Sequence, residues 1–174
     1  MGPGVDPHLY KATSSDLIRL QRAEVILYGG LHLEGKMQET FQRLSRSGRR
    51  VRAVTDGLPP ERLIRVGKDG IVDPHVWFDV ELWSRCIEGI AEEFAAARPD
   101  SAGGFRHRAT TVKQELKDLH QWVLMRVATV PKPRRILVTS HDAFGYFGKA
   151  YGFQVVALQG ISTVTEAGLA DMTQ

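Results

Sequence analysis

Apolar residues along the chain follow two patterns: short apolar segments, and longer stretches with a period close to four. The short segments predict β-strands at residues 25–28, 51–54, 136–139 and 155–158, and the first of these is predicted to be buried. The helical period predicts helices that begin near Asp16, Leu33, Asp79, Phe105, Phe144 and Thr163. Strands that alternate with helices in this way favour an α/β fold with parallel sheets.

The longest predicted helix covers residues 105–128 and would be roughly 36 Å long at 1.5 Å per residue. A segment with proline and glycine, residues 99–104, precedes the helix, and Pro131 and Pro133 follow it. Residues 56–70, which are rich in glycine, proline and charge, are predicted to form a loop. Because the long helix lies between two stretches of strand and helix, the pattern predicts two lobes.

Composition supports a folded protein and excludes some classes. The 174 residues are 43% hydrophobic, which is enough for a packed core, and no run approaches about 18 consecutive apolar residues. The net charge of +3 includes arginines at positions 46, 49, 50 and 52. No nucleic-acid recognition motif accompanies them, so they are interpreted as a solvated face. Cys86, the single cysteine, is predicted to be a buried, unreactive thiol.

The start of the chain shows no basic segment followed by an apolar run, as a signal peptide would. Two interpretations follow. Either the protein is cytosolic, or the true N-terminus lies upstream of Met1.

Three of the six histidines lie at the edges of predicted elements. His8 and His75 each follow an Asp-Pro pair, and His141 follows the strand at 136–139. α/β folds bind ligands at such edges, and proline restricts the backbone just before His8 and His75. Three imidazoles suit zinc, and also cobalt, nickel or copper. A shared metal site is one interpretation, and three separate loop histidines with hydrogen-bonded rings are the other.

The other three histidines are weaker candidates. His32 lies between a strand and a helix, a position that can face a cleft. His107 and His120 lie among charged residues of the long helix and are predicted to face solvent.

The segments around these histidines resemble the TroA-like metal-binding proteins of ABC importers, the zinc and manganese solute-binding family. The matching segments are residues 2–8 (GPGVDPH), 28–34 (YGGLHLE), 73–79 (DPHVWFD), 140–147 (SHDAFGYF) and 159–163 (QGIST). They occur in the family's order, and the resemblance covers nearly the whole chain. Together they are far more specific than any one of them.

The resemblance implies two parallel-sheet lobes joined by a single long helix, with the metal held between the lobes. It assigns residues 1–98 to an N-terminal metal-binding lobe, 105–130 to the linking helix and 134–174 to the start of a C-terminal lobe. The family also has a leading strand and helix, and most of a second lobe after the position of Gln174. The chain is therefore expected to be a fragment whose second lobe is incomplete.

The resemblance also implies the ligands. His8 and His75 match the ligands of the family's first lobe, and His141 matches a ligand of its second lobe. Manganese-specific relatives often have glutamate at the position of His141, so this site resembles the three-histidine type. The aspartate that completes the family's site is expected beyond Gln174. The transported ligand is expected to be Zn²⁺ or Mn²⁺.

The implied function is capture of the metal ion and its delivery to the membrane permease of an ABC importer. The protein is expected to be a monomer, periplasmic or anchored outside the membrane, with no nucleic-acid partner and no enzymatic activity. One alternative is a zinc-dependent hydrolase, although the sequence has no H-E-x-x-H helix and no obvious general base beside the histidines. The other alternative is a metal-binding surface adhesin.

Overall fold

The computed structural model describes residues 4–68 and 70–159, and its contacts divide the chain into two compact units. The first unit contains the described residues up to Leu58 together with Arg85–Lys113. The second contains Pro59–Ser84 and the described residues from Gln114 onward. Residues 2–3 and 160–163 of the family-like segments, and the helix predicted from Thr163, lie outside the described residues.

The described residues form helices and strands in the alternating order that the apolar pattern predicts. The α-helices are α1 (Ser14–Arg22), α2 (Gln38–Arg46), α3 (Val80–Ser84), α4 (Cys86–Ala97), α5 (Ala102–Ala128) and α6 (Gly145–Tyr151). The strands are β1 (Val25–Tyr28), β2 (Arg50–Ala53), β3 (Arg65–Val66), β4 (Ile71–Val72), β5 (Ile136–His141) and β6 (Gln154–Gln159). Pairs β1–β2 and β5–β6 are parallel, and β3–β4 is antiparallel. The predicted α/β class with parallel sheets is confirmed.

In the first unit, Thr13 caps the N-terminus of α1, which begins at the next residue, Ser14. The Thr13 N–H donates to Asp16 Oδ2 over 2.9 Å, and the Asp16 N–H donates to Thr13 Oγ1 over 3.3 Å. These two bonds form a capping box, which satisfies backbone donors that the first turn leaves without a helical partner. Hydrogen bonds from Thr13 and then Tyr10 lower the pKa of Asp16 to about 2.

The sheet of the first unit is a βαβ arrangement in which α2 connects β1 to β2. Buried Ile26, Met37 and Phe41 form one apolar cluster. The rings of Tyr28 and Phe41 stack with centroids 4.3 Å apart. The strand and the helix therefore bury their apolar faces against each other, which is the main source of stability for such a unit.

The second unit repeats this arrangement with β5, α6 and β6. The register pairs Leu137 with Val155 and His141 with Gln159, so β5 ends at a histidine on the carboxyl edge of the sheet. The backbones of α6 and the following chain approach closely at Gly148. A Cβ atom there would lie 2.7 Å from the Phe153 carbonyl oxygen, so only glycine fits without a shift.

The segment between the two sheets differs from its prediction. Residues 56–70 were predicted to be a loop, but they contain the 3-10 helix Pro60–Arg62 and strand β3 of a short hairpin. The helix predicted from Asp79 begins correctly, because Asp79 Oδ1 accepts from the Leu82 N–H over 3.1 Å. The apolar pattern predicts a single helix from Asp79, whereas the structure has two, α3 and α4. The two are divided at Arg85, which keeps helical torsion angles (φ −71°, ψ −23°).

The long helix is continuous, as predicted, and α5 has 27 residues. It begins at Ala102 rather than near residue 105, because the preceding break is made by the 3-10 turn Pro99–Ser101 and not by the two glycines. The boundary between the two contact units falls within α5, after Lys113. None of the described helices is both long and apolar enough to cross a bilayer. The lobe limits 1–98, 105–130 and 134–174 stay a prediction, and the segment 59–84 groups with the second contact unit.

Candidate metal centre

Two histidines, His8 and His75, are each the last residue of an Asp-Pro-His tripeptide. The same local hydrogen bond forms in both tripeptides. The His8 N–H donates to Asp6 Oδ1 and the His75 N–H donates to Asp73 Oδ1, each over 2.9 Å. The aspartate side chain closes a tight turn, and the proline inside the turn restricts the backbone. Both histidines are buried, His8 with 8% and His75 with 3% of its surface exposed. A three-residue sequence therefore fixes where each imidazole leaves the chain.

A buried carboxylate orients the His75 ring. The Nδ1 atom of His75 lies 2.7 Å from Asp73 Oδ1, the oxygen that also accepts from the His75 N–H. Asp73 itself is 1% exposed. Because a carboxylate can only accept, Nδ1 carries the proton and Nε2 keeps its lone pair. This is the tautomer in which Nε2 can bind a metal ion.

His141 completes a pair of imidazoles within the second unit. Its Nε2 atom lies 3.2 Å from Nε2 of His75, and the two ring planes are inclined by 76°. Two nitrogens that bind one tetrahedral zinc ion at about 2.1 Å lie about 3.4 Å apart. The His75–His141 pair therefore already has the separation of two ligands of a single metal ion.

Acidic groups set the electrostatics around this pair. Asp142, which follows His141, is half-buried, and burial raises the pKa of its carboxyl. The negative charge of Asp73 raises this pKa further, while His141 and His75 lower it. Two carboxylates that share a partly desolvated site disfavour each other's charge, so a cation beside them is stabilised.

Two of the three predicted ligands belong to the same unit. His75 and His141 lie in the second unit and contact each other, whereas His8 lies in the first. His32, which the sequence placed between a strand and a helix, is exposed.

Of the two histidines of the long helix, only one faces solvent as predicted. His107 is exposed. His120 is half-buried, with Nδ1 3.2 Å from the hydroxyl oxygen of Tyr151, so its prediction was wrong. The ring of Tyr151, a residue of α6, packs against His120 of α5. The helical periodicity of α5 alone does not reveal that contact.

Asp73 was not predicted to be the partner of the His75 ring. The repeated Asp-Pro-His tripeptide was the signal that could have identified Asp73. Tyr146 was missed altogether: its hydroxyl donates to the backbone oxygen of Asp73 over 2.9 Å, and burial raises its pKa to about 12. No local pattern marks this contact, because its partners lie 73 positions apart in the sequence.

A parallel-sheet α/β protein in which a buried, carboxylate-oriented imidazole lies at metal-ligand spacing from a second imidazole has the features of a metal-binding protein. Comparison with known families agrees. The chain belongs to the family described as zinc-uptake complex component A, periplasmic (ZnuA), whose profile matches residues 1–174. The predicted resemblance to TroA-like proteins is thereby confirmed.

Individual relatives are similar over the whole chain. The chain is 45% identical to the manganese-binding lipoprotein MntA of Bacillus subtilis over 174 residues, all of this chain and 56% of that protein. It is 46% identical to the zinc-binding protein TroA of Treponema pallidum, again over 174 residues and 56% of the relative. The solved structure of periplasmic TroA from Treponema pallidum superposes with a TM-score of 0.94, covering 99% of this chain and 61% of that one. The chain thus spans a little over half the length of the relatives it matches.

Proposed function

We propose that this protein captures a divalent transition-metal ion, Zn²⁺ or Mn²⁺, outside the cytoplasmic membrane and delivers it to the permease of an ABC importer. The observation that carries the proposal is the 3.2 Å separation of the Nε2 atoms of His75 and His141, with Asp73 on the far side of the His75 ring. The names of the two similar relatives, a manganese-binding lipoprotein and a zinc-binding protein, support the choice of metals.

We propose His8, His75 and His141 as the metal ligands. For His75 and His141 the support is the geometry within the second unit. For His8 it is the Asp-Pro-His motif, which repeats the turn at His75, together with the resemblance to the family.

Among the candidate ions, zinc is expected to bind more tightly than manganese. Neutral imidazole nitrogens suit zinc, whereas manganese prefers carboxylate, carbonyl and water oxygens. The order of intrinsic affinities for a given site also places manganese below zinc. Which ion the cell supplies then decides which one is transported, since affinity alone favours zinc.

We propose binding rather than catalysis. A zinc hydrolase needs a general base that is able to reach the metal-bound water. Asp73 is poorly suited to that role, because its Oδ1 is occupied by both the ring and the backbone N–H of His75. We propose further that the protein acts as a monomer, periplasmic or anchored outside the membrane, without a nucleic-acid partner.

Isothermal titration calorimetry of the chain with ZnCl₂ and with MnCl₂ tests this proposal. We expect zinc to bind in a single step and to bind more tightly than manganese. His75→Ala and His141→Ala should each weaken zinc binding by more than the roughly 10–100-fold loss typical of an outer partner, because each removes a direct ligand. His107→Ala is the matched control, since His107 is an exposed histidine of α5.

The variant His8→Ala tests the ligand that rests on motif and resemblance. A loss comparable to those of His75→Ala and His141→Ala supports the three-histidine set. An unchanged zinc affinity in His8→Ala would remove His8 from it. Failure of the unmodified chain to bind zinc more tightly than His75→Ala would contradict the proposed function itself.

A further inference from the structure

The residues that follow His141 are hydrogen-bonded to the segment that carries His75. Tyr146, the second residue of α6, is 1% exposed. Its hydroxyl donates to the Asp73 carbonyl oxygen over 2.9 Å and accepts from the Ile64 N–H over 3.0 Å. This buried hydroxyl therefore bonds to the backbone on both sides of hairpin β3–β4. One of its two partners is Asp73, the residue whose carboxylate orients the His75 ring.

The residue before Tyr146 allows this approach. A Cβ atom at Gly145 would lie 3.0 Å from Asp73 Oδ2, which is tighter than ordinary packing permits. Gly145 has no unusual torsion angle, so the lack of a side chain, rather than backbone freedom, is what the position requires. Next to it, the rings of Phe144 and Phe78 lie 4.2 Å apart. The segment Phe144–Tyr146, hereafter the latch, thus contacts the His75 segment at three consecutive residues.

These contacts bear directly on the imidazole pair. Asp73 lies only two positions before His75, and Tyr146 lies only five positions after His141. Short chain lengths leave little freedom between the latch and either ring. A shift of the latch would move Asp73. Because Asp73 sets the tautomer and the direction of the His75 ring, the ring would then change its position relative to His141.

We propose that Tyr146 and Gly145 are positioning residues that set the separation of His75 and His141, and so tune the affinity and geometry of metal binding. This inference rests on the proposed metal-binding function. Neither residue touches the metal. Each acts through Asp73. The hydroxyl of Tyr146 bonds to the backbone of Asp73, and Gly145, which has no side chain, leaves room for the Asp73 carboxylate.

The same helix offers a matched control. Tyr151 is also in α6 and is 3% exposed. Its hydroxyl also accepts from a backbone N–H, that of Val80, over 3.4 Å, and it lies 3.2 Å from His120 Nδ1. Tyr151 therefore resembles Tyr146 in burial and in the kind of bond it makes, but its partners do not include Asp73. Loss of either hydroxyl should have a similar effect on folding and a different effect on the metal site.

The test compares Tyr146→Phe with Tyr151→Phe in three measurements: zinc affinity by calorimetry, the visible spectrum of bound Co²⁺, and thermal unfolding. We expect Tyr146→Phe to weaken zinc binding about 10-fold, the lower end of the effect of outer partners, and to change the Co²⁺ spectrum. Tyr151→Phe should stay within about twofold of the unmodified chain in affinity and keep its spectrum, even if both variants unfold at lower temperature.

Equal zinc affinities and spectra in the two variants would overturn the inference, whether both match the unmodified chain or both are weakened. Lack of zinc binding by the unmodified chain would overturn the proposed function instead. If Tyr146→Phe shows no cooperative unfolding, Gly145→Ala replaces it, with Gly103→Ala as control, because a Cβ at Gly103 meets nothing within 4 Å. Wild-type affinity in Gly145→Ala would then equally overturn the inference.

Discussion

The sharpest prediction concerns the carboxylate of Asp73, which contacts His75 and is not among the proposed metal ligands. Its Oδ1 accepts two hydrogen bonds from His75, from Nδ1 over 2.7 Å and from the backbone N–H over 2.9 Å. The substitution Asp73→Asn keeps the shape and one oxygen acceptor but removes the negative charge. Asp73→Ala removes both. The two variants therefore separate the effect of charge from the effect of orientation.

The expected magnitude follows from the role of such partners. A carboxylate that accepts from Nδ1 fixes the ring and increases the basicity of Nε2, and its loss typically weakens metal binding about 10–100-fold. This corresponds to about 1.4–2.7 kcal/mol of binding free energy. We expect Asp73→Asn at the lower end of that range, since its amide oxygen still accepts from Nδ1. Asp73→Ala should lie at the upper end.

The assay is competition of the protein with a zinc chelator of known affinity, together with ¹⁵N NMR of the His75 ring in the metal-free protein. NMR should show Nδ1 protonated in the unmodified chain and a mixture of tautomers in Asp73→Ala. Asp118→Asn, a change at an exposed carboxylate of α5, controls for net charge. Zinc affinity in Asp73→Ala equal to that of Asp118→Asn would refute the reasoning that Asp73 supports the metal site.

Three further predictions concern the rest of the fold. Burial raises the pKa of the Cys86 thiol to about 11, so a thiol reagent at about pH 8 should react with Cys86 only after denaturation. Gly148→Ala should destabilise the protein by about 1–3 kcal/mol in urea unfolding, because the added Cβ meets the Phe153 carbonyl oxygen. By contrast, Gly103→Ala should stabilise α5 by about 0.5–1 kcal/mol, because alanine costs less conformational entropy in a helix than glycine. The pKa of Asp16, about 2, lies below its ordinary 3.8, so its capping interaction stabilises the fold above about pH 4 and is lost as the pH falls towards 2. NMR titration of the Asp16 carboxyl should show this, and Thr13→Ala should return the pKa towards its ordinary value.

Each error in the predicted elements has its own physical cause. Strands β3 and β4 have two residues each, too few to display any periodicity, and they are held by pairing with each other. The interruption at Arg85 leaves the apolar helical pattern unchanged on both sides, so the pattern reads as one helix. The start of α5 at Ala102 was not predicted, because Gly103 and Gly104 have low helix propensity. A helix nevertheless tolerates two glycines near its end.

The amino-acid sequence by itself determined the elements whose signals are local. Apolar runs and helical periods located β1, β2, β5, β6 and α5, since each of these elements buries the face that its own residues supply. The turns at His8 and His75 are equally local, because each aspartate bonds a residue only two positions away. Only the tertiary structure decided that His141 meets His75 across 66 residues and that Tyr146 meets Asp73 across 73. Such contacts depend on how whole elements pack to bury apolar surface, and that packing sets distances between residues that no short stretch of sequence encodes.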